Sequence, residues 1–79
     1  FKLDRRDEAV RWLERAAAQS PANATIQWHL GDAYAAVGRE LEASFQWRRA
    51  LELDPDPDEE ALLQRRLDLG LAAGPEDVS

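Results

Sequence analysis

The residues best equipped for a reaction are His29 and Asp32. Three positions apart on one helix, they are neighbours, and an imidazole beside a carboxylate suits acid–base chemistry. A catalytic constellation also needs a nucleophile or a positioned substrate group and an orienting partner. No serine or cysteine motif supplies one, so the reading is a surface His–Asp pair with no catalytic residue. One histidine and no cysteine give no zinc site. Residues 52–60 hold six acids and no base: Glu52, Asp54, Asp56, Asp58, Glu59 and Glu60. Asp54, Asp56 and Asp58 have the spacing that opens a calcium loop. Such a loop then needs glycine where the chain has Glu59 and glutamate where it has Arg65. Pro55 and Pro57 also intrude. The acids therefore read as helix capping and solubility, with a docking patch for a basic partner as the functional alternative. No metal and no cofactor is assigned.

The elements that carry these residues follow from apolar spacing. Ala9, Leu13 and Ala16, with Val10 and Ala17 beside them, predict a helix from about Asp7 to Gln19. Ser20-Pro21 stops it. Asn23 is the predicted N-cap of a second helix, Ala24 to Val37, with Ile26, Leu30, Ala33 and Val37 as its stripe. Gly38 ends that helix. A third helix, Glu40 to Leu53, carries Ala43, Trp47, Ala50 and Leu51 inward. Leu41 and Phe45 fall off that stripe, either to receive the last helix or to stand exposed. Asp56, Pro57 and Glu59 form a cap, a first helical position and a capping-box acid. The fourth helix then spans about Pro57 to Leu71 with Leu63, Leu67 and Leu71 as its stripe. Gly74-Pro75 closes the ordered chain, and Glu76 to Ser79 reads as a frayed tail.

Ala24 to Pro57 makes one unit of two helical patterns around Gly38. Its signature of Leu30-Gly31, Tyr34, Ala43, Trp47, Ala50 and Pro55 resembles the tetratricopeptide repeat, a 34-residue helix–turn–helix. At the same offset backwards, Ala43 lands on Ala9, Trp47 on Leu13, Ala50 on Ala16 and Pro55 on Pro21. Forwards, Leu30 falls on Gln64, Gly31 on Arg65 and Tyr34 on Asp68, and the signature dissolves. The expected organisation is the second helix of a truncated repeat in 1–23, a complete repeat in 24–57, a capping helix in 58–73 and a tail in 74–79. The fold expected is all-α: antiparallel helix–turn–helix repeats, about four helices, a fragment of a solenoid.

The resemblance implies protein binding. In the family, the face of the first helix that carries Thr25, Trp28, Asp32, Ala35 and Ala36 lines a concave groove for peptides. The family's usual tryptophan slot holds Gln27, one residue before Trp28. Between Ala24 and Val37 there is no Lys, Arg or Asn, so the clamp some members close on a C-terminal carboxylate is not supported. The charge of Arg11, Arg15, Arg48 and Arg49 solvates the convex side. Repeat proteins need about three stacked units and polar end caps. Leu3, Val10, Trp12 and Leu13 are therefore expected to border an open hydrophobic edge. The first reading is a non-enzymatic scaffold that binds a protein or peptide. The alternatives are a structural module that self-associates through that edge as a homo-dimer, or an accessory segment of a larger enzyme.

Composition bounds the rest. The chain of 79 residues makes one domain at most, and a core this small is marginal. Its net charge of −6 argues against a nucleic-acid partner. No apolar run approaches the roughly 18 residues of a membrane span. Arginine outnumbers lysine nine to one, the usage expected of a GC-rich bacterial genome. The compartment, bacterial cytoplasm or periplasm, is not assigned. Phe1 falls inside a repeat, so the native start is expected upstream.

Overall fold

The computed structural model describes residues 5–76, with side chains placed through Leu69. The described residues form four helices: α1 (Arg5–Gln19), α2 (Ala24–Ala36), α3 (Glu40–Glu52) and α4 (Pro57–Glu76). Successive helices pack on one another, α1 on α2, α2 on α3 and α3 on α4. The molecule measures 36 × 34 × 16 Å, a slab in which each helix buries surface chiefly toward its chain neighbours. That is the geometry of a stacked helical array.

The joints are built by local chemistry. The Asn23 side chain accepts from the Ile26 N–H at 3.1 Å, as predicted for the cap of α2. Gly38, at φ +85°, closes α2. The Arg39 N–H returns to the Tyr34 carbonyl at 2.9 Å and the Gly38 N–H to Ala35 at 3.1 Å, the paired bonds of a Schellman turn. After α3 the left-handed position is held by Asp54, at φ +62°. Aspartate tolerates that conformation better than most residues. Here only one of the two bonds forms, from the Asp54 N–H to Leu51 at 3.3 Å. The next residue is Pro55, which has no N–H to give.

The core joins Val10 and Ala17 of α1, Leu30 and Tyr34 of α2, Ala43, Trp47 and Ala50 of α3, and Leu63 and Leu67 of α4. Gly31 sets the α2–α3 distance. A Cβ there would lie 2.5 Å from Trp47 Cδ1 and 3.1 Å from the Ala43 carbonyl, so the missing side chain admits the indole. This tolerance outweighs the roughly 1 kcal/mol that glycine costs inside a helix.

Several boundaries differ from the sequence expectation. Helix α1 starts two residues earlier than predicted, at Arg5. Helix α4 continues through Gly74-Pro75 to Glu76. Leu41 and Phe45 do not receive the last helix: they are 86% and 62% exposed. Leu3 lies outside the described residues, as do the last three residues of the predicted tail, and Leu71 lies beyond the described side chains. Val10 does not border an open edge. It is buried, in the core with α2's side chains, while Trp12 is exposed and Leu13 is half-buried.

Candidate functional site

The five predicted groove residues divide into two groups. Thr25, Trp28 and Asp32 are held by α4, whereas Ala35 and Ala36 face an open cleft.

The α4 contacts are polar and specific. Thr25 Oγ1 donates to Glu59 Oε2 at 3.0 Å, and Trp28 Nε1 donates to the same oxygen at 3.1 Å. These bonds hold the Glu59 carboxyl below its ordinary range, that from Trp28 foremost and that from Thr25 next. A bond with the Asp56 backbone acts in the same direction, as the capping-box reading of this helix start expects. One helical turn further, Asp32 accepts from Trp47 Nε1 at 3.0 Å and from Arg66 Nη2 at 3.0 Å. Arg66 Nε lies 2.8 Å from Asp32 Oδ1, an ion pair at the right distance but without hydrogen-bond alignment. Both side chains are about one-third exposed, so solvent screens the pair. The Arg66 guanidinium also lies over the Trp28 ring, 5.9 Å from its centroid.

His29 forms none of these hydrogen bonds. It is exposed, and its ring meets Trp28 edge-on at 4.2 Å between centroids. The expected His29–Asp32 pair is absent, because the Asp32 carboxylate is directed at Trp47 and Arg66. Gln27, in the family's tryptophan slot, is buried and donates from Nε2 to the Pro21 carbonyl at 3.1 Å. This ties α2 to the turn that precedes it. On the far side of α2, Tyr34 donates its hydroxyl to Glu14 at 2.7 Å. Burial, reinforced by that carboxylate, pushes the phenol up to about 12.

The cleft has a volume of about 520 Å³. Asp32, Ala35 and Ala36 of α2, Glu40, Ser44 and Trp47 of α3, and Arg66 and Leu69 of α4 line it. Leu69 is 64% exposed and forms an uncovered apolar wall. Its lining combines apolar walls, a hydroxyl and a charged pair. Among the described residues no group of three His, Asp or Glu side chains converges as a metal would require. No described helix is long and apolar enough to cross a membrane.

Glu59 and Arg66 were not singled out from the sequence as partners of the groove face, although a signal was present. Thr25–Glu59 and Asp32–Arg66 are each 34 residues apart. Helix α4 thus sits where the first helix of a following repeat would sit, in register with α2, although its own signature residues have changed.

A layered helical array with a 34-residue register is the architecture of a helical repeat scaffold. A family model described as a TPR repeat matches residues 1–38. The match spans α1 and α2 and supports a tetratricopeptide repeat family, whose general role is protein interaction. No curated protein matches the chain. No solved structure matches it either.

Proposed function

We propose that the chain is a non-enzymatic interaction module that holds a segment of a partner protein in the cleft between α2, α3 and α4. The observation that carries this reading is the 520 Å³ cleft itself, whose apolar walls Ala35, Ala36 and Leu69 flank the Asp32–Arg66 pair. Its contact residues would be Asp32, Ala35 and Ala36 from the predicted groove, joined by Ser44 and Leu69. Thr25 and Trp28 act indirectly on this reading, by seating α4, which forms one wall. The division into a truncated repeat (1–23), a complete repeat (24–57) and a cap (58–73) belongs to the same proposal.

The test is selection of binders from a random peptide display library, followed by mapping of one binder by amide and indole NMR shifts. Expected are shifts at Ala35, Ala36, Ser44 and Trp47 Nε1, and at least tenfold weaker binding for Ala36→Glu with unchanged helicity. A binder that maps to the outer faces of α1 and α3, or that ignores Ala36→Glu, overturns the proposal.

A further inference from the structure

Three of the side chains that line the cleft between α2, α3 and α4 are charged: Asp32, Glu40 and Arg66. Two of them cancel. Asp32 accepts from Arg66 Nη2 at 3.0 Å, and Arg66 Nε stands 2.8 Å from the other carboxylate oxygen. Trp47 Nε1 donates to the same carboxylate at 3.0 Å. The charge left over is the Glu40 carboxylate. Among the described residues it has neither a hydrogen bond nor an ion pair. Ser44 lies one turn further along α3, on the same face. It also lines the cleft, and its hydroxyl has no partner among the described residues. A carboxylate and a hydroxyl, both open to accept, therefore stand across the cleft from the small apolar surface of Ala35 and Ala36.

We infer that the cleft takes a basic side chain, arginine or lysine, from the partner segment; this rests on the cleft being the binding site. Such a side chain matches both parts of the lining, because it lays an aliphatic stem on apolar surface and carries its charge at the tip. The stem lies along Ala35, Ala36 and Leu69, and the cationic head meets Glu40 and Ser44. An acidic segment fits worse. Its carboxylate finds Arg66 already engaged by Asp32 and faces the uncompensated Glu40, and like charges brought together select against a partner. The net charge of −6 adds attraction at longer range for a basic segment.

The test uses peptides selected from the display library and shown by the shifts of Ala36 and Trp47 Nε1 to occupy the cleft. An arginine or lysine is expected in each. Glu40→Gln, at an exposed position, should bind them at least tenfold more weakly with unchanged helicity. Exchanging the peptide's basic residue for glutamate should abolish binding to the native chain and restore it on Glu40→Lys. Glu40 also stands in the first turn of α3, where a carboxylate suits the helix dipole. That role alone would lower the melting temperature of Glu40→Gln and leave peptide affinity unchanged, which overturns the inference. A cleft-bound peptide without a basic residue also overturns it, and leaves the cleft as the binding site. Peptides that all map elsewhere overturn both.

Discussion

Helices α1 and α3 carry the same apolar pattern at the same repeat positions, yet only α3 has it covered. Ala43 and Ala50 are wholly buried because α2 lies against them, and Gly31 lets α2 come close. Among the described residues no helix lies against Ala9 and Ala16 in that way. An apolar stripe is a capacity for burial, and its energy is realised only when a second surface removes it from water. The pair of helices therefore measures what a neighbour contributes with residue type held nearly constant.

The largest expected effect separates the two stripes directly. Trp47→Ala should cost about 3–5 kcal/mol, since it removes a buried indole and opens a cavity. Leu13→Ala should cost less, about 1–2 kcal/mol, because Leu13 is only partly buried against the core. Urea denaturation of the two variants reads the difference, and equal costs would contradict the assignment of α1 as the uncovered helix.

A smaller effect sharpens the same contrast at the approach point. Gly31→Ala should destabilise by about 1–3 kcal/mol, because the added Cβ meets a rigid indole. The ordinary preference of helices for alanine predicts the opposite sign. A rise in melting temperature would mean that Trp47 has room to move.

The pattern of α1 to α3 was legible because caps and stripes are local. Asn23 and Gly38 act within a few residues of themselves, and the backbone bonds they predict are present. The burial of Val10 and the pairing of Asp32 were not legible. Helical spacing places Val10 beside Leu13 but cannot say which of the two meets α2.

The α2–α4 contact offers two further tests. A double-mutant cycle with Asp32→Asn and Arg66→Met should return a coupling of about 1 kcal/mol, limited by the one-third exposure of the pair. Zero coupling would make the contact incidental. Glu59 should give the smallest effect, a dependence on acid. Its carboxyl is lowered in the folded chain, so its contribution is present above the ordinary carboxylate range and is lost as pH falls through the lower folded value. Tryptophan fluorescence followed from pH 7 downward should show this step in the native chain and lose it in Glu59→Gln. A step that persists in that variant would assign the acid sensitivity to another group.

By itself the sequence determined the four helices, their caps and the repeat unit, because backbone hydrogen bonding and apolar periodicity are set within a turn or two. It also placed polar residues on α4, in Gln64, Arg65 and Asp68. Only the tertiary structure decided that Glu59 and Arg66 meet Thr25, Trp28 and Asp32, leaving Ala35 and Ala36 to the cleft. Those contacts span 31 and 34 residues and depend on the angle at which α4 crosses α2. Residue type and spacing within either helix carry no information about that angle, because the packing of α3 between the two chain segments fixes it.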